Sequence, residues 1–166
     1  MLLGILSDTH DMVERTNAGV ALLVNAGAEA LIHCGDITIP EVVYELASLP
    51  SYFVFGNCDF DLDELRRSIA AIGGVCLERG GLIDLDGRRM AVAHGDSSRE
   101  LARLEAERPD YLFSGHAHTA LDVRRGSTRF INPGALQRAA TWTVGSLDAS
   151  SGQLETLQIL DTMMRP

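Results

Sequence analysis

Histidine, aspartate and asparagine residues occur in five short clusters along this chain, and each cluster directly follows an apolar run. The members of the five clusters are Asp8, His10, Asp36, Asn57, His94, His116 and His118. Imidazole nitrogens combined with carboxylate and amide oxygens suit manganese, iron, zinc, cobalt or nickel ions. A carboxylate can bridge two such ions, and two ions about 3.5–4 Å apart can hold both reacting oxygens of a phosphoryl displacement. The set therefore predicts a metal site with the chemistry needed to cleave a phosphate ester.

No single cluster is decisive, because each has an ordinary structural explanation. Asp8 could cap the helix that follows it, while Asp36 and Asn57 each follow a glycine and could lie in simple turns. Two alternate histidines after a buried run, His116 and His118, are a stronger signal. The set as a whole is more informative than its members, since it contains four of the five histidines in the chain.

The remaining metal-capable side chains are His33 and the three cysteines. We interpret His33 as a core residue or as a residue that supports the ligands. Cys34 and Cys58 each lie beside a predicted ligand and could bind zinc, but the usual paired spacing is absent. We therefore interpret Cys34 and Cys76 as packing residues and place Cys58 at the mouth of the site.

The first half of the chain alternates between apolar runs and segments with helical spacing. The predicted strands cover residues 2–6, 30–33 and 52–55, and the predicted helices cover residues 12–25, 40–47 and 62–71. This order predicts a parallel sheet with right-handed crossovers. Ligands gather at the carboxyl ends of strands in such sheets, so clusters that are distant in sequence would meet at one edge.

The second half has shorter strands and more turn residues. Asp86-Gly87 predicts a hairpin between residues 82–85 and 90–93. A helix is predicted at 98–107, a buried strand at 111–114, and largely antiparallel strands at 121–125, 128–131, 141–147 and 154–160. The elements together predict two packed sheets with helices outside, in a single domain that covers residues 1–166.

Composition and charge restrict the function further. The net charge of −9 disfavours a non-specific nucleic-acid binder but is compatible with a small phosphate substrate. No run is long and apolar enough to span a membrane, and the N-terminus lacks the basic start and long apolar core of a signal peptide. The three cysteines are an odd number without framework spacing, which favours free thiols and a cytoplasmic location.

In this order the motifs resemble those of the calcineurin-like metallophosphoesterases, and most of all the small single-domain YfcE-type branch. That branch also includes the retromer subunit of the same fold. The motifs that carry the resemblance are Asp8-Thr9-His10, Gly35-Asp36, Gly56-Asn57-Cys58-Asp59, His94-Gly95, Gly115-His116-Ala117-His118 and Asn132-Pro133-Gly134. The similarity covers residues 2–160, essentially the whole chain.

The resemblance implies a four-layer αββα sandwich, an α/β (α+β sandwich) fold with two mixed β-sheets. It implies one ion on Asp8, His10, Asp36 and His118, and a second ion on Asp36, Asn57, His94 and His116. Asp36 would then bridge the two ions, and Asp36, Asn57 and His94 would be catalytic. It also implies Mn²⁺ as the activator, with Ni²⁺, Fe²⁺ or Zn²⁺ as alternatives, and a small phosphodiester as the substrate.

The chain departs from the family pattern at three positions. Larger relatives carry a histidine where this chain has Cys58, and that histidine can protonate the leaving group. Asp96 stands where many small relatives carry histidine, and Ala135 replaces the usual serine. Asn132 and Arg138 could still shape the substrate pocket, together with Cys58 and Asp96, and Arg138 could bind a phosphate oxygen.

Three other functions remain open at the level of sequence. The same site could hydrolyse phosphomonoesters, or the fold could serve as a non-catalytic scaffold that binds a protein partner. In a metal-free binding module the same residues would be only caps and turns. Self-association is a further expectation, since the apolar strand at residues 154–160 could lie at a sheet edge.

Overall fold

The structure is a computed structural model that describes residues 1–164. Its strands are β1 (Leu2–Leu6), β2 (Ala30–His33), β3 (Ser51–Phe53), β4 (Val75–Cys76), β5 (Gly80–Leu85), β6 (Arg88–Ala93), β7 (Tyr111–Phe113), β8 (Leu121–Arg125), β9 (Thr128–Asn132), β10 (Trp142–Asp148) and β11 (Leu154–Ile159). Its α-helices are α1 (Val13–Asn25), α2 (Pro40–Glu45), α3 (Leu62–Ala71) and α4 (Ser98–Ala106), and a 3₁₀ turn covers Asp161–Met163.

Both sheets are mixed. The first has the order β11-β10-β1-β2-β3-β4, in which β1 to β4 are parallel and β10 is antiparallel to both of its neighbours. The second has the order β5-β6-β7-β9-β8 and has antiparallel strands at its two edges. The predicted αββα architecture is therefore confirmed.

Two details of the sheets were not predicted. The short edge strand β4 was missed, because two residues carry no periodic signal. The strand predicted at 128–131 belongs to a region predicted as largely antiparallel, and β9 is antiparallel to β8 but pairs in parallel with β7. Its hairpin partner β8 occupies the sheet edge, so the chain turns back and brings β9 alongside β7 in the same direction.

Three hydrophobic cores separate the four layers. One lies between the first sheet and α1 to α3, one lies between the two sheets, and a small one lies under α4. Strand alternation assigns the side chains of β1 to two of these cores. Leu3 and Ile5 face the second sheet and Leu6 faces the helices. A Cβ atom at Gly4 would lie 2.8 Å from Leu23 of α1, so glycine allows this helix to approach closely.

Helix ends explain the positions of several acidic residues. Asp61 caps α3 by accepting a hydrogen bond from the Glu64 N–H at 3.0 Å, and Ser97 caps α4. Asp8 caps nothing, since α1 begins after Met12 without a side-chain cap. The ordinary explanation for Asp8 is therefore wrong. No helix within residues 1–164 is long and apolar enough to cross a membrane.

Candidate metal centre

The predicted ligands meet at one edge of the molecule. Both sheets contribute, because loops after β1, β2 and β3 of the first sheet face loops after β6 and β7 of the second. Within residues 1–164, three groups of residues each bring their donor atoms within 4.8 Å of one another. The groups are Asp8 with His10 and His118, Asp8 with Asp36 and His94, and His10 with Asp36 and Cys58. A cluster of buried carboxylates and imidazoles of this kind suits a divalent cation.

The backbone at the predicted ligands is strained. Positive φ angles between 47° and 65° occur at five of the seven, namely Asp8, His10, Asp36, His116 and His118. Residues other than glycine adopt this conformation at a cost, and such residues cluster at functional sites. These five residues lie in the loops that follow β1, β2 and β7.

Asp8 is wholly buried at the end of β1. Its Oδ2 accepts hydrogen bonds from the Ser7 hydroxyl at 2.7 Å and from the His116 N–H at 3.0 Å. Its Oδ1 lies 3.1 Å from His118 Nε2 and 4.0 Å from His94 Nε2. One oxygen is thus fixed by the protein, while the other faces two imidazoles.

Asp36 lies between the imidazoles of His10 and His94. Its Oδ1 accepts a hydrogen bond from the Cys58 N–H at 2.8 Å. Its Oδ2 is 3.4 Å from His94 Nε2 and 3.8 Å from His10 Nε2. Burial raises the pKa of Asp36, but the hydrogen bonds from His94 and Cys58 outweigh burial and lower it. Asp36 is therefore ionised at neutral pH and central enough to serve two cations.

Backbone carbonyls orient the histidine rings. His94 Nδ1 donates to the Cys34 carbonyl at 2.9 Å, so Nε2 faces Asn57 Oδ1 at 3.2 Å. His118 Nδ1 donates in the same way to the Arg138 carbonyl at 3.4 Å. Burial lowers the pKa of His94, but the hydrogen bond and charge of Asp36 raise it overall. Because Nε2 of His94 is surrounded by oxygen atoms, it must carry a proton or bind a cation. Metal-binding histidines typically donate their other ring N–H to a carbonyl or carboxylate, as His94 does through Nδ1.

The donor set fits a divalent metal. Bond lengths of about 2.0–2.2 Å separate neighbouring ligand atoms by roughly 3.0–3.5 Å, and the Asp8–His118 and Asp36–His94 contacts lie at 3.1 and 3.4 Å. His10 adds an independent observation. Its side chain is buried, and its Nε2 has no hydrogen-bond partner among residues 1–164. A buried polar atom left without a partner is rare, and a metal ion would satisfy this one.

Asn57 and His116 complete the set at the exposed side of the centre. The amide oxygen of Asn57 faces His94, and the Asn57 Nδ2 lies 3.4 Å from Cys58 Sγ. The His116 ring lies edge-on to His94, with ring centroids 5.1 Å apart. His116 belongs to none of the three donor groups found within residues 1–164, so its ring does not lie within the same short distance of the other donors.

Asp59 organises the site although sequence reasoning assigned it no role. Its carboxylate is 3% exposed. It accepts hydrogen bonds from four backbone N–H groups, those of Asp36 at 3.1 Å and of Ile37, Thr38 and Gly56 at 2.7 Å. The carboxylate thus joins the loop after β2 to the loop after β3. Its position in Gly56-Asn57-Cys58-Asp59 was the available signal, but the sequence did not reveal its partners.

His33 supports the same loops from below. The ring is buried and stacks on Phe53. Its Nδ1 accepts from the Gly35 N–H at 3.2 Å, so its Nε2 donates to Thr9 Oγ1 at 2.9 Å. Thr9 in turn donates to the Asp36 carbonyl at 3.3 Å. Burial lowers the pKa of His33 to about 3, so the ring is neutral and holds the backbone that carries Asp36.

The four predicted pocket residues lie in different places. Cys58 and Arg138 line a pocket beside His10. Asp96 is exposed after β6 and is absent from that lining. Asn132 is buried, and its amide donates to the Gly115 carbonyl at 2.7 Å and accepts from the Gly134 N–H at 2.9 Å. Both ends of its amide thus bond to backbone groups, and a role for Asn132 in shaping the substrate pocket stays a prediction.

Gly115 allows the second sheet to approach Asp8. A Cβ atom at this position would overlap the Ser7 hydroxyl and lie 2.7 Å from Asp8 Oδ2. Gly115→Ala is therefore expected to displace Asp8 and to weaken Mn²⁺ binding by about 10- to 100-fold. Substitutions of residues that hold metal ligands in position typically have an effect of this size. The measurement is a Mn²⁺ titration of metal-stripped protein by calorimetry.

Gly145→Ala in β10 is the matched control for this prediction. A Cβ atom there would meet nothing closer than 3.6 Å, so this variant should keep the wild-type affinity. Equal affinities in both alanine variants would contradict the close approach at Gly115.

Comparison with known proteins agrees with this geometry. Residues 1–152 match the calcineurin-like phosphoesterase superfamily domain. The chain belongs to this superfamily. A phosphodiesterase of Methanocaldococcus jannaschii is 26% identical over 155 residues, which cover 89% of this chain and 93% of that protein. This chain is therefore a calcineurin-like phosphoesterase, as its motifs predicted.

Two solved structures share the fold of this chain. A structure described as a novel archaeal phosphodiesterase aligns with a TM-score of 0.88 at 22% identity, covering 96% of this chain and 100% of that one. The phosphoesterase YfcE of E. coli aligns with a TM-score of 0.70 at 21% identity, with the same coverage. Both comparisons show that this chain has the fold of these two proteins.

Proposed function

We propose that this protein is a metal-dependent phosphodiesterase whose dinuclear site promotes in-line attack of water on a phosphodiester. The observation that carries the proposal is the convergence of buried carboxylate and imidazole donors from strand ends of both sheets. The names of two similar proteins, a phosphodiesterase of M. jannaschii and an archaeal phosphodiesterase, support the substrate class.

The proposed ligands form two sets that share one carboxylate. One set is Asp8, His10, Asp36 and His118, and the other is Asp36, Asn57, His94 and His116. Two divalent ions held there, Mn²⁺ in the first place and Ni²⁺, Fe²⁺ or Zn²⁺ as alternatives, would activate a water molecule and neutralise charge on the phosphate oxygens.

The role of the protein is to hold these donors in position before the substrate arrives. The Cys34 carbonyl orients His94, the Cys58 N–H fixes Asp36, and the Ser7 hydroxyl fixes Asp8. Preorganised donors need little rearrangement during the reaction. Oxygen from water forms a new bond to phosphorus as the bond to the leaving oxygen breaks, and the leaving oxygen takes its proton from solvent.

The test is hydrolysis of bis-p-nitrophenyl phosphate by metal-stripped protein to which Mn²⁺, Ni²⁺, Zn²⁺ or Mg²⁺ is added separately. The proposal expects turnover that requires a transition metal and prefers this diester to p-nitrophenyl phosphate. Preference for the monoester would instead indicate a phosphatase with the same site. Two bound metals without any turnover would favour the non-catalytic scaffold.

Cys58 determines how the reaction should depend on the leaving group. Burial raises the pKa of its thiol, and the neighbouring carboxylate of Asp36 raises it further. The thiol is therefore a poor proton donor at neutral pH. A general acid contributes typically about 10²- to 10⁴-fold, so alkyl esters should react slower than p-nitrophenyl esters by at least this factor. Rates across a series of methyl aryl phosphates should fall steeply as leaving-group pKa rises, and a flat series would contradict the prediction.

A further inference from the structure

A pocket of about 430 Å³ adjoins the candidate metal centre. It is lined by His10, Asp11, Thr38, Ile39, Cys58, Phe60, Gln137 and Arg138. Its volume lies within the usual range of small-molecule sites, about 300–1,000 Å³. His10 and Cys58 belong to the donor group around Asp36, so a molecule in this pocket would reach the reacting centre directly.

Phe60 forms an apolar wall of this pocket and is 87% exposed. The backbone on both sides of it is held in place. Asp59 accepts four backbone hydrogen bonds, and Asp61 caps α3. The aromatic ring is therefore presented to solvent from a rigid segment, while its own face has no protein covering. Such a ring beside a polar centre provides a stacking surface.

Other residues of the pocket lining are polar. Arg138 is exposed there, and no carboxylate lies within ion-pair distance of it among residues 1–164. Gln137 donates to Asp11 at 3.2 Å, which leaves the Asp11 carboxylate able to accept a further hydrogen bond. The pocket thus combines a flat apolar face, a free cation and a hydrogen-bond acceptor. Because the net charge of the chain is −9, most of its surface repels anions, and the positive charge of Arg138 would attract an anion locally.

We propose that the substrate is a phosphodiester with a nucleoside on one side of phosphorus, whose base stacks on Phe60. Arg138 binds a phosphate oxygen, and the base amino group faces Asp11. The proposal rests on the proposed function and names its substrate class. The phosphate group of such a substrate is complementary to the cation of Arg138. Its base is a planar ring with polar groups at its edge, which is complementary to the aromatic face of Phe60 and the carboxylate of Asp11.

The test compares two ligands that differ only in the base. Isothermal titration calorimetry of the Mn²⁺-loaded protein measures Kd for AMP and for ribose 5-phosphate. AMP should bind roughly 5- to 150-fold more tightly, the range that stacking of one base on an aromatic side chain provides. Phe60→Ala should remove this difference, and Phe60→Trp should keep it. Arg138→Gln should weaken both ligands by a similar factor.

Tyr44→Ala is the control, because Tyr44 is an exposed aromatic residue like Phe60 but is not part of the pocket lining. It should leave the AMP preference unchanged. Equal affinities of the two ligands in the wild-type protein, no AMP binding, or a preference that survives Phe60→Ala would each overturn the proposal. Hydrolysis of bis-p-nitrophenyl phosphate, measured in parallel, separates the two failures. Turnover without an AMP preference rejects the nucleoside and keeps the phosphodiesterase. An AMP preference without turnover rejects the phosphodiesterase, and with it the phosphodiester substrate, and keeps only the base-binding role of Phe60.

Discussion

Asp36→Asn is expected to lower phosphodiesterase activity by more than about 100-fold. This loss is larger than the loss caused by substituting residues that only hold metal ligands in position. Asp36 is the carboxylate nearest to both His10 and His94. The amide keeps the shape of the side chain but removes the negative charge that two cations would share. The amide also replaces one of the two oxygens by an N–H₂ group. In one orientation this group cannot accept the hydrogen bond from Cys58, and in the other it faces His10 and His94 without a lone pair for a metal.

Metal content and turnover must be measured on the same preparation of this variant. Fewer bound ions per chain by elemental analysis, together with lost turnover, are the expected result. Asp63→Asn is the matched control, because Asp63 is an exposed aspartate on α3, and it should retain both properties. If Asp36→Asn lost metal but hydrolysed the diester at the wild-type rate, the dinuclear mechanism would be wrong.

Asp59→Ala is expected to lower the free energy of unfolding by about 3–5 kcal/mol, because it leaves four backbone N–H groups without their acceptor. For a chain of this size the corresponding fall in Tm is about 6–20 °C. The loops after β2 and β3 would lose the connection that Asp59 provides. Mn²⁺ affinity should therefore fall as well, by about 10- to 100-fold.

Asp59→Asn separates the hydrogen bonds from the packing. Asparagine fills the same space but offers one acceptor oxygen instead of two, so its destabilisation should lie between those of the wild type and Asp59→Ala. Urea unfolding of metal-free protein measures all three, with Asp63→Ala as the exposed control. Unfolding free energies within about 0.5 kcal/mol of each other, the usual range for surface substitutions, would contradict the structural role of Asp59.

The sequence predicted more about the candidate site than about its surroundings. Each ligand cluster follows an apolar run, and parallel strands end at a common edge, so convergence could be inferred without coordinates. The order of the motifs then indicated the superfamily that the comparison confirmed. The predicted roles of Asp8 and Asp36 as metal ligands depend only on residue type and on position after a strand.

The supporting residues could not be predicted in the same way. Asp59 and Asn132 act through hydrogen bonds to backbone groups of distant loops. Any polar side chain can make such bonds, so residue type alone does not identify the partners. The backbone hydrogen bonds of Asn132 were therefore not predicted, and Asp59 was left without a role. The parallel pairing of β9 with β7 was missed for a related reason, since strand direction depends on the path of the chain.

The amino-acid sequence by itself determined the fold class, the superfamily and the set of metal-capable residues, because periodicity and residue chemistry are local properties. Only the tertiary structure decided which atoms face one another. It placed the carbonyl of Cys34 beside Nδ1 of His94 and left Nε2 of His10 without a hydrogen-bond partner within residues 1–164. It also placed Phe60 at the rim of the pocket. These features arise where segments far apart in sequence come within a few ångströms, a distance that no local pattern encodes.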